Sequence, residues 1–260
     1  MIGKIFIASQ RRWQTRPVMT TAQLIVVAIA IFVAAFMQVL SGFGFALLSM
    51  PIMTLALPVS QAVVVSTLLG CLSTSWQAWH LRENAVRPLV KRLSLAAFVG
   101  MPLGLVILNV VADTTLKLIL GCAVLTATAL LIARINLKNV GPGLDIGVGF
   151  VSGVLNTSLS TNGPPLVFGL QARHLEADEF RATISMVFAF SNIVGIALFA
   201  LDGKFTVDGM KAALIALPAW FIGQALAWPI RKHFHGERFR TLVLSMLFIA
   251  GVSTIFFALR

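Results

Sequence analysis

The most informative polar residues of this chain sit inside an apolar region. From Gly149 to Phe168 it reads GFVSGVLNTSLSTNGPPLVF, and six of the seven residues from Asn156 to Asn162 are polar: Asn156, Thr157, Ser158, Ser160, Thr161 and Asn162. Their hydroxyls and amides are neutral hydrogen-bond donors. A helix does not continue normally through Gly163-Pro164-Pro165, so backbone freed there must be satisfied by protein or by a water-lined cavity. The N–H groups at the start of a helix carry partial positive charge and attract anions. The chemistry that this stretch supports is therefore recognition of an anion without a formal positive charge. The first half holds a counterpart in Gln38, Ser41, Gly42, Gly44, Ser49 and Pro51. Glycine and proline are common in membrane helices, and Ser and Thr often serve packing. One Gly-Pro alone would read as a kink. Two broken segments at matching positions point instead to a transport site.

Asn192 adds a donor from another segment. It lies mid-span in Phe188-Ala-Phe-Ser-Asn-Ile-Val, where an unpaired amide is costly, and its counterpart in the first half is Ser73. An interhelical hydrogen bond would account for it equally well. The candidate substrate-binding set is thus Ser41, Gly42, Gly44, Asn156, Ser158, Ser160, Thr161, Asn162, Gly163, Pro164 and Asn192. Gly42, Gly44 and Gly163 would permit close backbone approach. Arg181, at the start of a span in Phe180-Arg-Ala-Thr183, reads as an interfacial arginine before it reads as an anion guide. His233 and His235 fall in a short basic loop, a solvated position rather than a metal pair.

The missing groups narrow the function further. All nine acidic residues lie in loops or at span ends, Asp145 nearest to entering, and no histidine is placed within a span. A buried proton relay has no obvious chain of titratable groups, and intramembrane proteolysis has no histidine or carboxylate pair to use. There is no P-loop motif. Cys71 and Cys122 sit in apolar runs, where cysteine is usually inert. No catalytic residue, metal or cofactor is expected.

The elements that must position these residues follow from composition. Of 260 residues, 58% are hydrophobic and 11% charged, with mean hydropathy +0.93. A soluble domain has about a quarter of its residues charged, so the chain reads as an all-α polytopic membrane protein. The excess of 20 Lys and Arg over 9 Asp and Glu is then explained by topology, since cytoplasmic loops collect basic residues, and nucleic acid is not an expected partner. Residues 1–20 form an N-terminal surface segment rather than a secretory signal, with Arg11, Arg12 and Arg16 at the headgroups and Trp13 at the interface.

Ten segments are expected: Ala22 to Leu40, a short broken one from Ser41 to Leu57, Val59 to Trp79, Leu93 to Val111 and Leu116 to Ala133. After a polar linker they continue as Leu144 to Leu159, a second short broken one from Ser160 to Gln171, Phe180 to Leu201, Met210 to Ile230 and Thr241 to Leu259. The units are a first transmembrane repeat over 21–133, a cytoplasmic linker over 134–143 and a second repeat over 144–260. The separation from Ser66 to Gly104 is 38 residues, and so is that from Ser185 to Gly223. Those glycines end the small-xxx-small pairs Gly100/Gly104 and Ala219/Gly223. Equivalent loops carry opposite charge bias. Arg82, Arg87, Lys91 and Arg92 stand against Lys204 alone, whereas Asp113 and Lys117 stand against Arg231, Lys232, Arg238 and Arg240. Two inverted repeats of about five segments predict that reversal. The basic loops, with Trp79 and Trp228 near them, would then face the cytoplasm, and the basic N-terminus dissents by falling outside.

At this point the chain resembles the sulfite exporter TauE/SafE family of anion permeases, also called the TSUP family. The resemblance rests on Ser41-Gly42-Phe-Gly44 with Pro51, and on Leu57-Pro58 followed by Ala62-Val-Val-Val-Ser-Thr67. In the second half it rests on Gly149…Ser152-Gly153, Asn162-Gly163-Pro164-Pro165, and Phe180-Arg-Ala-Thr183 ahead of Asn192. Many members have a glycine-rich run before the second-half proline, whereas here it is polar. The resemblance implies transport, by export in the first place, of a small sulfur-containing anion such as sulfite, a sulfonate or sulfoacetate. The expected mechanism is alternating access in the plasma (inner) membrane, with the lipid bilayer as partner and room for a homo-oligomer. A non-transporting membrane subunit is one alternative. An intramembrane enzyme using Ser152 or Ser160 as nucleophile is the other.

Overall fold

The computed structural model describes residues 19–41, 43–133, 141–171, 173, 175–230 and 237–259. Gly42, most of the N-terminal segment, most of the central linker, and His233 and His235 lie outside them. Among the described residues all regular structure is helical: α1 (Thr21–Ser41), α2 (Phe45–Met53), α3 (Val59–Leu81), a 3-10 turn (Arg82–Asn84), α4 (Arg87–Val110), α5 (Asp113–Ala133), α6 (Pro142–Leu159), α7 (Gly163–Gln171), α8 (Ala177–Leu201), α9 (Val207–Ile230) and α10 (Glu237–Leu259). Six of them, α1, α3, α4, α5, α8 and α9, are long and apolar enough to cross a membrane. The chain is a multi-pass membrane protein. α2 and α7 have nine residues each, about 13 Å at 1.5 Å per residue, too short to cross a core of about 30 Å alone.

Both short helices are the return arms of hairpins. Gln23 Nε2, in the first turn of α1, donates to Ala56 O beyond α2 at 2.9 Å. Arg173, beyond α7, donates to Asp145 Oδ1 at 2.8 Å and to Gly141 O at 3.3 Å, at the start of α6. Each hairpin therefore begins and ends on one face of the protein. The α1–α2 face also holds Val59, whose N–H donates to Asp113 Oδ1 at 2.7 Å, and the Asn109–Asp202 bond at 3.0 Å. On the opposite face Val86 N–H donates to Thr183 Oγ1 at 3.0 Å, and Arg92 pairs with Asp145 at 3.3 Å. The second face also carries an aromatic group. The Arg82 guanidinium lies 4.5 Å over Trp79, and His80 contacts Trp76 and, more loosely, Trp228. Indole rings favour the membrane–water boundary. No histidine is read within a span from sequence, yet His80 occupies the last turn of α3, which runs two residues past Trp79.

In lipid, helices gain little from burying apolar groups against one another, so close backbone packing does more of the work. α4 and α6 meet through glycines. A Cβ on Gly153 would meet Ala97 O, and one on Gly100 or Gly104 would meet the carbonyl of Phe150 or Val154. Thr157 Oγ1 adds a bond to Met101 O at 2.5 Å across the same interface. Gly223 lets α9 approach α1 in the same way, its missing Cβ facing Phe32 O. α3 and α8 run through the centre, α5 packs on α10, and Val99, Leu103 and Val110 of α4 point outward.

Candidate functional site

The two helix breaks meet. α1 stops at Ser41 and α2 starts at Phe45; α6 stops at Leu159 and α7 starts at Gly163. Each break is thus three residues long, and each contains a left-handed residue, Gly44 at φ 95° and Ser160 at φ 56°. Glycine takes that conformation freely. Ser160 is the one described non-glycine residue that adopts it, at a cost of about 1–2 kcal/mol. Its Oγ lies 3.1 Å from Thr67 Oγ1 on α3, which helps to hold it there. Strained residues of this kind cluster at functional sites.

A cavity of about 30 Å³ lies between the breaks, room for about two waters. Its walls are Gln38 of α1, Gly44 to Leu47 at the start of α2, Ser66, Gly70 and Thr74 of α3, Ser160 to Gly163, and Phe188 and Asn192 of α8. The first N–H groups of a helix have no partner within it, so the start of α2 presents N–H groups to this space. The prolines play a different part from the one expected. Pro164 and Pro165 do not end a helix; they occupy the first turn of α7, where their fixed φ suits a helix start. They also remove two N–H groups from that turn, and side chains supply donors in their place. Pro51 likewise lies within α2 instead of interrupting the segment.

The ends of α6 and α7 are not electrostatically equal. Ser160 N–H and Thr161 N–H donate to Asn156 O at 2.8 Å and Leu155 O at 3.2 Å, occupying carbonyls that would otherwise show negative charge to the cavity. The side-chain donor Asn162 Nδ2 has no protein partner, nor do Thr161 Oγ1 and Gln38 Oε1. These residues are 6%, 0% and 1% exposed. Buried polar atoms are nearly always paired in folded proteins, so three unpaired ones on one small cavity stand out. None of the described lining residues is charged.

Of the expected site residues, Gly44, Ser160, Thr161, Asn162, Gly163 and Asn192 line the cavity. Asn156 stands behind it: its Nδ2 donates to Asn192 Oδ1 at 3.2 Å, and Asn192 Nδ2 donates to Thr74 Oγ1 at 3.4 Å. Asn192 thus both bridges helices and faces the cavity. Ser158 and Pro164 are buried but outside the lining, and the Ser158 hydroxyl donates back to Val154 O at 2.6 Å. Gly42 lies outside the described residues, and Ser41 ends α1. Ser73, matched to Asn192 from sequence, faces away and accepts from Trp220 Nε1 at 2.6 Å and Gln224 Nε2 at 2.8 Å. The hydroxyls weighed as nucleophiles are engaged otherwise, Ser152 with Asn162 O at 3.1 Å and Ser160 with Thr67. The set of expected residues omitted Ser66, Gly70 and Thr74, spaced i, i+4, i+8 on α3, and Phe188, four residues before Asn192. That spacing defines one helix face and could have revealed them.

Known proteins resemble this chain in sequence. The chain is 26% identical over 220 residues to the "Probable sulfite/organosulfonate exporter TauE" of Cupriavidus necator, covering 84% of this chain and 82% of that protein. It is 31% identical over 108 residues to the "Probable inner membrane transporter protein TsaS" of Comamonas testosteroni, covering 41% and 45%. No solved structure gives a significant match. The model of the family described as sulfite exporter TauE/SafE matches residues 27–254, nearly the whole chain, and the chain belongs to that family.

Proposed function

We propose that this protein carries a small sulfur-containing anion, such as sulfite, a sulfonate or sulfoacetate, across the inner membrane by alternating access around the cavity between the two breaks. The observation that carries this reading is the convergence of the starts of α2 and α7 on one space lined by neutral polar groups, with the Asn162 Nδ2 and Thr161 Oγ1 donors unpaired. Helix starts and uncharged donors together hold anions. Asn192, held by Asn156, and Ser160, held by Thr67, complete the binding surface. Ser41 and Pro164 flank the breaks, and Ser158 stiffens the end of α6. The names of the two relatives support the sulfur-anion class and the inner membrane.

The two halves act as inverted repeats in this reading. Support comes from their pairing: exchanging α1–α5 with α6–α10 turns the α1–α9 contact into α6–α4 and returns α3–α8 and α5–α10 to themselves. Equal breaks and the equivalent roles of Gly104 and Gly223 agree with it. The face bearing Arg82, Arg87, Lys91 and Arg92 is cytoplasmic by the positive-inside rule. An inside-negative potential then favours export of an anion by about 2.3 kcal/mol per charge per 100 mV.

A thermal-shift panel on purified protein tests the class. Sulfite, thiosulfate, sulfoacetate, taurine and plain carboxylates would be compared. A ligand at a hundredfold excess over its Kd stabilises by about 2.7 kcal/mol. A selective shift with a sulfur anion is expected; no shift with any, in protein that melts cooperatively, contradicts the reading.

A further inference from the structure

We infer that the group bound in the cavity carries a single charge, a sulfonate or the singly protonated form of sulfite, and that compact dianions such as sulfate, with both charges on one centre, are rejected. The inference rests on the anion-carrier reading above and adds the charge state to it. Its basis is the wall of the cavity: Gln38, Thr161, Asn162 and Asn192 supply neutral side-chain groups, the start of α2 supplies N–H groups, and no described lining residue carries a formal charge. The cost of taking an ion out of water rises with the square of its charge, so a dianion loses about four times what a monoanion of equal size loses. Its attraction to fixed dipoles rises only in proportion to charge, about twofold. A site made of dipoles alone is therefore biased toward one charge over two, a bias that a buried arginine or lysine would weaken.

The cavity's own elements offer no such cation and no proton to exchange with the ligand. α1, α2 and α7 contain no titratable residue. On α3, Cys71 turns to Ser75 at 3.8 Å and His80 to Trp76 O at 2.9 Å. On α6, Asp145 is paired with Arg173 and Arg92 at the far end of the helix. On α8, Asp178, Glu179 and Arg181 sit in the first turns, away from Phe188 and Asn192. The pH dependence of binding should then follow the ligand's protonation.

The test is titration of the purified full chain with methanesulfonate, sulfite and sulfate from pH 5.5 to pH 8.5. Methanesulfonate, a monoanion throughout, should bind with the same affinity at every pH. Sulfite should bind at low pH, its apparent affinity falling about tenfold per pH unit once the pH exceeds its own second ionisation. Sulfate should give no binding at concentrations that saturate methanesulfonate. Sulfate binding as tight as methanesulfonate, or sulfite binding indifferent to pH, overturns the monoanion inference and leaves the anion-carrier reading standing. Failure of all three anions to bind cooperatively folded protein removes both.

Discussion

Asn162→Asp is the sharpest perturbation of the cavity. The side chain keeps its shape, while an unpartnered amide donor is exchanged for a carboxylate oxygen at a residue 6% exposed. With a bound anion about 4–6 Å away and an effective dielectric of about 20, two like charges repel by about 3–4 kcal/mol. Loss of a hydrogen bond to a charged group removes about 1.5–3 kcal/mol more. Even the repulsion alone corresponds to a Kd raised by a factor of about 10²–10³. The assay is calorimetric titration with methanesulfonate, whose charge does not change with pH, so that any pH effect belongs to the protein. Binding should be lost at pH 8. It should return as the pH is lowered and the new carboxyl takes up a proton, because the neutral acid no longer repels the ligand. Asn162→Ala separates the two contributions, since it removes the donor without adding charge and should weaken binding less than the aspartate. Unchanged affinity at pH 8 in Asn162→Asp, with normal membrane expression, would refute the placement of Asn162 in the site.

Three further substitutions probe the frame. Gly153→Ala should lower the melting temperature in detergent, by about 1–3 kcal/mol of overpacking, because the added methyl meets the Ala97 carbonyl; Gly147→Ala, with open space around it, should be neutral or stabilising by about 0.5–1 kcal/mol. Asp145→Asn leaves Arg173 and Arg92 without their shared carboxylate and should destabilise toward the low end of about 3–5 kcal/mol, because Arg92 is 43% exposed; a melt unchanged from wild type would show that the pairs contribute nothing. Ser160→Gly relieves a left-handed backbone worth about 1–2 kcal/mol and should hold or raise the melting temperature while weakening ligand binding, an outcome opposite in sign to that of Gly153→Ala.

Much of this architecture was legible in the sequence for identifiable reasons. Apolar runs located the helices, with the largest displacement at α4, which starts at Arg87 instead of Leu93, and a polar cluster beside Gly163-Pro164-Pro165 located the second break. Two errors share a cause. Counting polar residues along a run draws attention to Ser158, which turns back onto its own helix, and away from Ser66, Gly70 and Thr74, which are isolated in sequence but aligned on one face of α3. Ser73, matched to Asn192 from sequence, turns to Trp220 and Gln224, whereas its neighbour Thr74 meets Asn192, because one residue rotates a helix position by about 100°. Other features depend on distant partners. The burial of Asp145 becomes intelligible only when the α6–α7 hairpin brings Arg173 back to it, 28 residues later in the chain. The use of Pro164 and Pro165 to start α7 depends on where the preceding helix stops, and that is set by Ser160, whose positive φ no composition rule anticipates.

The central claim, that this chain by itself moves a sulfur-containing anion through the cavity between its two breaks, is tested most directly by reconstitution. Purified protein would be placed in liposomes loaded with methanesulfonate or sulfite, and efflux followed with and without an inside-negative potential. Carrier function predicts efflux above that of empty liposomes, faster under the negative potential, and abolished at pH 8 by Asn162→Asp. Efflux no faster than from protein-free liposomes, with the protein folded and inserted, would contradict it.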